Sequence, residues 1–459
     1  MNQHPSLITL QKWLDTYLNF EKLPQKDIFW LDTMEYLCQT TNHPQKSFPS
    51  VHLAGSKGKG STSVMIASIL EASGYKSGLY TSPHILDFSE RIGSAQGPLP
   101  EQIYEAAAQE LMAAVASIDT RQLPGHRAIT WFELVTTFAF LCFRQAHVDW
   151  AVFETGLGGR LDATNVLRPQ LSVITPIELE HTEFLGDTIG KIASEKAGII
   201  KRGTPVVMAP QKEEARRVLE AKAKELQCHL LKVEELVQVH GRMAAGKMEL
   251  RLESKLFARP ISTKLSLSGE YQLWNAATAA LAAKTLFPQL PEEAIEIGLA
   301  QARLPGRFEV LQWQGIDVVL EGAHTPNSVS LSLKTFRQYL EDTHATSILK
   351  KSLDHASTRK PHLLFACAAD KDVHTMAKLF SGFGSMILTR PGGEKQSNPQ
   401  LLQDAFIEAG HEFTYISDFK EAIQKSLEQA LKDGVPLLVT GSFYLVAEVK
   451  KILQESSAC

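Results

Sequence analysis

At 459 residues, 44% of them hydrophobic and 21% charged, the chain has the composition of an ordinary globular protein, and it is too long for a single hydrophobic core. Its net charge of −4 gives no electrostatic footprint for nucleic acid, and no apolar run approaches the roughly 20 residues that span a bilayer. The cysteines Cys38, Cys142, Cys228, Cys367 and Cys459 are scattered without a C-x-x-C pair, and the N-terminus lacks a basic region followed by an apolar core. Reduced thiols in a cytoplasmic protein, with no membrane or nucleic-acid partner, are therefore expected.

Taken in chain order, short apolar runs alternate with amphipathic stretches, the pattern of a mostly parallel sheet covered by helices. Strands are predicted at 50–54, 77–80, 150–153, 171–175 and 205–209, and helices at 61–73, 101–118, 132–146, 188–200 and 212–226. From about Cys228 to Ser268 the texture changes to short alternating segments, including 248–252 and 261–267, which suggests a small β subdomain. An alanine-rich helix is predicted from Leu273 to Leu286, and Leu304-Pro-Gly-Arg-Phe308 then breaks the pattern. Beyond that break a second α/β series has strands at 317–320, 362–367, 385–389 and 436–440. The polar stretch 341–360 has no clear period and reads as a surface insertion. The expected organisation is a P-loop-type, mostly parallel α/β domain over 1–303 that includes the β subdomain, then a smaller Rossmann-like α/β domain over 304–459.

Within this plan the most informative segment is Ser50-Val-His-Leu-Ala-Gly-Ser-Lys-Gly-Lys-Gly-Ser-Thr62. A strand entering a glycine-rich loop and then a helix makes a phosphate cradle, because backbone N–H groups can approach the oxygens and the helix N-terminus favours negative charge. Gly58, Lys59, Gly60 and Ser61 form its centre. Lys59 has the reach for outer phosphates, and Ser61 or Thr62 offers a hydroxyl to a magnesium shell. Gly60 separates the lysine from Ser61, so the loop departs from the general G-x-x-x-x-G-K-[ST] form. A Gly/Ser/Lys surface turn between strand and helix is the competing reading. Other predicted strands also end in polar residues, at Thr81-Ser82-Pro83-His84, Glu154-Thr155-Gly156 and Thr175-Pro176. In open α/β sheets ligands lie beyond such strand ends.

The motifs together resemble the folylpolyglutamate synthase and dihydrofolate synthase family, a branch of the Mur-ligase superfamily. The resemblance rests on 54–62, Gly78-Leu-Tyr-Thr-Ser-Pro-His84, Phe88-Ser-Glu-Arg-Ile92, Glu154-Thr-Gly-Leu-Gly-Gly-Arg-Leu-Asp-Ala-Thr-Asn165, His181-Thr-Glu-Phe-Leu-Gly-Asp187 and Glu195-Lys-Ala-Gly-Ile-Ile-Lys201. Leu304-Pro-Gly-Arg307, Gly322-Ala-His-Thr-Pro326 and Thr440-Gly-Ser-Phe-Tyr-Leu445 complete the series. The family joins the amine of L-glutamate to a pteroate or folate carboxylate with ATP. The carboxylate attacks the γ-phosphate, and the amine then displaces phosphate from the acyl phosphate. Such chemistry needs positioning and charge neutralisation rather than a protein nucleophile.

The resemblance implies a monomeric enzyme using ATP, two magnesium ions and a monovalent cation, with dihydropteroate or tetrahydrofolate as acceptor. It implies Lys59, His181 and Lys196 as catalytic residues, with Lys196 carbamylated, and Ser82, Glu154 and His181 as metal ligands. ATP contacts fall on Lys57, Gly58, Lys59, Gly60, Ser61, Asn275, Arg307 and Glu321. Pterin contacts fall on Thr130, Trp131, Phe132 and Glu133 and on Leu161, Asp162 and Ala163. On the residues alone, Glu154 also reads as a turn carboxylate, His181 as an exposed acid-paired histidine, Lys196 as a solvated helix lysine, and Trp131 and Phe132 as helix packing. Arg307 also reads as an ordinary linker arginine. Four positions depart from the family pattern: Lys57 for Asn, Glu180 for Asp, Glu321 for Asp and Thr325 for Asn. A cell-wall Mur ligase and a degenerate folate- or nucleotide-binding homologue are the alternatives.

Overall fold

The structure is a computed structural model that describes residues 4–19, 31–350, 360–393 and 395–457. Its eight-stranded sheet consists of β1 (Ser50–Ala54), β2 (Ser77–Tyr80), β3 (Ile92–Ser94), β4 (Gly97–Pro98), β5 (Trp150–Glu154), β6 (Leu171–Ile174), β7 (Val206–Met208) and β8 (Leu230–Lys232). The strand order is β4-β3-β2-β5-β1-β6-β7-β8. All neighbours run parallel except the pairs β2–β3 and β3–β4. A three-stranded sheet ordered β11-β10-β9 follows, from β9 (Gln238–Ala244), β10 (Lys247–Glu253) and β11 (Ile261–Leu265). The last sheet is built from β12 (Glu309–Trp313), β13 (Ile316–Glu321), β14 (His362–Phe365), β15 (Ser385–Leu388), β16 (Thr414–Tyr415) and β17 (Leu437–Thr440), in the order β12-β13-β17-β14-β15-β16. Only β12 is antiparallel to its neighbour.

The chain forms two compact units. One comprises Met1–Gly241, Leu250–Ser266 and Gln272–Arg303, the other Arg242–Glu249, Leu267–Tyr271 and Leu304–Cys459. In the first unit the helices Pro5–Leu14, Asp32–Thr40, Glu101–Ala116 and Trp131–Gln145 feed one apolar cluster. The helices Ile189–Ala197 and Glu213–Glu225 feed another. The core of the second unit gathers Phe336, Phe365, Phe380 and Phe406 against β13, β14 and β17. Among the described residues no helix is long and apolar enough to cross a membrane.

Each strand and each of the six helices predicted above forms, with most ends shifted by no more than two or three residues. The stretch 341–360 differs from expectation: the helix beginning at Pro326 runs on to Lys350. No glycine or proline follows Pro326 before Lys350 to stop it, so weak periodicity did not mean a loop. Residues 351–359 lie outside the described residues.

The helix Lys59–Ala72 that leaves the glycine-rich loop is buried at every residue from Ser61 to Leu70. Its tightest neighbour is the helix Glu292–Gln301, where Gly298 faces the Ile69 backbone. A Cβ on Gly298 would lie 2.5 Å from Ile69 Cα and 2.6 Å from Ile69 N. Backbone cannot swing aside as a side-chain end can. Gly298→Ala should therefore lower stability by about 1–3 kcal/mol, read as a reduced urea midpoint at unchanged slope.

Candidate active site

In the first sheet β1 lies between β5 and β6, and the chain leaves it towards β2 on one side before returning to β6 on the other. This is the topological switch point at which open α/β sheets bind ligands. The glycine-rich loop begins there, directly after Ala54. Gly55 has no room for a side chain, since a Cβ would come within 1.9 Å of Thr175 Oγ1. Gly58 is left-handed at φ 80°, and a Cβ there would meet Asn275 Oδ1 at 2.4 Å. Two glycines thus let the loop press against β6's exit on one side and Asn275 on the other. No side chain caps the helix Lys59–Ala72, so its first-turn N–H groups keep the positive end of the helix dipole for an anion. The N–H groups of Ser56 and Lys57 are bonded to Pro176 O at 2.8 and 3.1 Å. The N–H groups that remain for a ligand at this loop are therefore those from Gly58 to Ser61.

Two lysines converge behind this loop. Lys59 Nζ and Lys196 Nζ both donate to the Gly55 carbonyl, at 2.9 and 2.8 Å. Each has a carboxylate beside it: Glu154 Oε1 is 3.9 Å from Lys59, and Glu180 Oε1 is 2.8 Å from Lys196. Burial pulls the Lys196 ammonium down to about 8, helped by the Lys59 charge and opposed by Glu180. Burial alone would raise the Glu180 carboxyl, but the Lys59 and Lys196 charges outweigh it and hold it below its ordinary value. Ser61 Oγ accepts from Gln272 Nε2 at 3.2 Å, and Asn275 Nδ2 donates to Gln272 Oε1 at 2.8 Å. Gln272, absent from the sequence reading, thereby ties Ser61 to Asn275.

Ser82 and Glu154 stand at the carboxyl ends of adjacent strands, and Ser82 N–H reaches Glu154 Oε2 at 3.4 Å. Among the described residues no group of three or more His, Cys, Asp or Glu gathers to hold a metal ion. Magnesium needs only one or two carboxylates when phosphates supply the rest, and it prefers hard oxygen donors. One carboxylate and a hydroxyl at a phosphate loop fit that requirement. His181 lies beyond β6 with an exposed side chain and a left-handed backbone, φ 47°.

The expected pterin residues divide into two kinds. Thr130 and Glu133 form a capping box for the helix Trp131–Gln145, and Arg127 donates to both carboxylate oxygens of Glu133. Trp131 is 5% exposed, with Arg91 4.9 Å from its ring centre and Phe88 edge-on. Phe132 is half-buried over Gly156, where a Cβ would come within 2.4 Å of its ring. Of these four, Phe132 presents the more accessible aromatic surface. Leu161 is half-buried and Ala163 is 7% exposed.

Asp162 is buried and fully engaged. Its Oδ2 accepts the N–H groups of Gly156 and Leu157, each at 2.9 Å, and its Oδ1 accepts Thr164 N at 3.0 Å and Thr164 Oγ1. Burial raises its carboxyl above the ordinary value against these donors. The side chain thus shapes the turn that follows Glu154.

The second unit holds its own cluster at the carboxyl end of β13. Glu321 is 3% exposed, and its Oε2 accepts Phe308 N at 2.9 Å and Tyr271 Oη at 3.4 Å. Burial raises its carboxyl, against the pull of Arg307 and of the Phe308 and Ala323 N–H groups. Phe308 is left-handed at φ 47°, a strained state for an aromatic residue, and the Glu321 contact is one of those that hold it. Arg307 lies 4.4 Å above the Phe443 ring. Thr325 shares hydrogen bonds with Ser328 at the start of the helix Pro326–Lys350, so a threonine serves this turn where the family pattern has asparagine.

The fold and these two clusters define a Mur-type ligase. The Mur ligase middle domain model matches residues 53–283, and that of the Mur ligase glutamate ligase domain matches 306–443. The chain is 31% identical to the dihydrofolate synthase/folylpolyglutamate synthase of Bacillus subtilis, over 97% of this chain and 98% of that one. Its fold matches the folylpolyglutamate synthase of Mycobacterium tuberculosis complexed with ADP, with a TM-score of 0.84, 28% identity and 98% of each chain covered. A folylpolyglutamate synthase structure complexed with AMPPCP and folate matches with a TM-score of 0.78 and 28% identity, over 97% of this chain and 99% of that one. The chain belongs to the folylpolyglutamate synthase/dihydrofolate synthase family, whose members are ATP-dependent ligases that add glutamate to folate.

Asp162 gives this site a direct test. Asp162→Ala would leave the N–H groups of Gly156, Leu157 and Thr164 without their acceptor. We expect a loss of about 1–3 kcal/mol in chemical denaturation, together with faster proteolytic cutting near 156–161.

Proposed function

We propose that this chain ligates L-glutamate to a reduced pteroate or folate carboxylate, releasing ADP and phosphate. The observation that carries the reading is the glycine-rich loop at the switch point, with Lys59 beneath it and Asn275 against Gly58. In the first step an acceptor carboxylate oxygen bonds to the γ-phosphorus as the bond to the ADP oxygen breaks. In the second the glutamate amine attacks the acyl carbon, loses its proton, and phosphate departs. The first-turn N–H groups and Lys59 neutralise the outer phosphates as charge moves towards ADP. Lys57 adds a cation to the same loop, and Asn275, Arg307 and Glu321 serve the nucleotide.

Ser82, Glu154 and His181 would hold magnesium, which when bound screens phosphate charge from the incoming carboxylate and amine. Two such ions and a monovalent cation belong to this reading. Phe132, Leu161 and Ala163 offer apolar surface to the pterin, while Thr130, Trp131, Glu133 and Asp162 shape the wall behind it. Both dihydropteroate and tetrahydrofolate are proposed as acceptors. The reading is of a monomeric, cytoplasmic enzyme, consistent with the free thiols of Cys38, Cys142, Cys228 and Cys367.

The test is release of ADP that depends on glutamate and on either acceptor. In that assay Lys59→Ala should lower turnover by about 100-fold or more, whereas Lys57→Asn should stay within a fewfold of the parent. Near-parental turnover in the Lys59 variant would refute the loop's assignment.

Lys196 is also proposed to carry a carbamate. Its neutral amine attacks carbon dioxide, forming the N–C bond and releasing one proton. Because the folded ammonium has been pulled down to about 8, the neutral fraction rises as pH climbs through that value. At fixed carbon dioxide pressure, a 13C carbamate resonance should grow from pH 7 to 9 and be absent in Lys196→Arg. A pH-independent or missing signal would count against the modification.

A further inference from the structure

Gln211 lies just beyond β7 and belongs to none of the motifs that mark the site. Its amide brackets a single residue of the neighbouring strand's exit: Nε2 donates to Thr175 O at 3.0 Å, and Oε1 accepts Ile177 N at 3.1 Å. The bracketed residue is Pro176. Its carbonyl accepts both Ser56 N and Lys57 N, at 2.8 and 3.1 Å. The same exit segment has two further contacts with the phosphate loop. Ser56 Oγ donates to Glu178 O at 3.1 Å, and Thr175 is the side chain that leaves Gly55 no space for a Cβ.

These contacts run in one direction. The phosphate loop has two of its N–H groups committed to one carbonyl, so the direction of that carbonyl fixes the loop's entry. Proline lacks an N–H and cannot anchor itself through a donor of its own. The polar groups on either side of Pro176 are instead held by one amide that both donates and accepts. Among the side chains, only Asn and Gln offer such a pair of donor and acceptor as a neutral amide. Glu180, the partner of Lys196, and His181 follow four and five residues after Pro176, so the same bracket sets the start of their segment.

We propose that Gln211 is a positioning residue for nucleotide binding, acting through Pro176 on the backbone of the phosphate loop. It touches neither nucleotide nor acceptor. Loss of the bracket lets the Pro176 carbonyl turn, and the Gly58–Ser61 donors lose their common focus. Nucleotide affinity falls while the apolar surface of Phe132 and Leu161 is unchanged.

The inference rests on the ligase reading, and the experiment separates the two. Fluorescent ATP-analogue titrations and steady-state kinetics are run on the full-length parent, Gln211→Met and Gln211→Glu. Methionine keeps the volume and removes both hydrogen bonds, and glutamate keeps the acceptor but not the donor. The expected result is an ATP KM and a nucleotide Kd raised about tenfold in Gln211→Met, an intermediate rise in Gln211→Glu, and an acceptor KM within twofold of the parent. Urea midpoints are measured alongside. A lower midpoint with unchanged nucleotide Kd would overturn the proposal and leave Gln211 a purely structural residue. Equal rises in ATP and acceptor KM would overturn it too. A parent that binds nucleotide but turns over no folate acceptor would refute the ligase reading and leave the Kd comparison intact.

Discussion

In the unmodified chain the Gly55 carbonyl, shared by two ammonium groups, is the constraint on which the first unit's arrangement depends. Lys59 and Lys196 come from different helices, and their like charges repel at close range. The arrangement holds because Glu154 and Glu180 flank them and because the carbonyl dipole points between them. In partly buried surroundings such pairs interact several times more strongly than in water. Removing either carboxylate would leave a buried cation without its counter-charge, which is why the cluster behaves as a unit. Its charges nearly balance, so an incoming polyanion meets local cations without any general positive surface. A net charge of −4 is therefore compatible with the proposed nucleotide site.

The second unit solves a different problem. Its cluster depends on backbone conformation more than on paired charges, since Phe308 adopts a left-handed state that only surrounding contacts can maintain. Glu321 supplies one of them, and its extra methylene relative to aspartate helps it reach Phe308 N and Tyr271. The departure from the family pattern therefore has a structural use here. Thr325 is a parallel case, since its hydroxyl meets the turn's need with Ser328. At positions 180, 321 and 325, substitutions that look like decay in a motif are, in the folded chain, parts of local hydrogen-bond networks.

The glycine-rich loop, the strand ends carrying Ser82 and Glu154, and most elements were legible because their signals are local. Short apolar runs bounded by turn residues mark parallel strands, and a glycine cluster before a helix marks an anion site. The strands β3, β4, β8 and β16 escaped notice because two or three residues carry too little pattern when no longer apolar run surrounds them. Trp131 and Glu133 were legible as a pair but not in their surroundings: Arg91 and Arg127, distant or unmarked in sequence, occupy them. Gln272 was missed for the same reason. Its importance comes from Ser61, 211 positions away in the chain, and no spacing rule reaches that far.

The helix that carries Lys59 has a further consequence. Because it is buried from Ser61 to Leu70, it has no solvent-facing side on which amides can open one at a time. Its hydrogen bonds are broken only when the surrounding sheet and the helix Glu292–Gln301 separate from it. Deuterium should therefore enter this segment only through the largest unfolding motions of the first unit, among its slowest-exchanging amides. The glycine-rich loop is thus a mobile-looking sequence moored to a helix buried along ten consecutive residues.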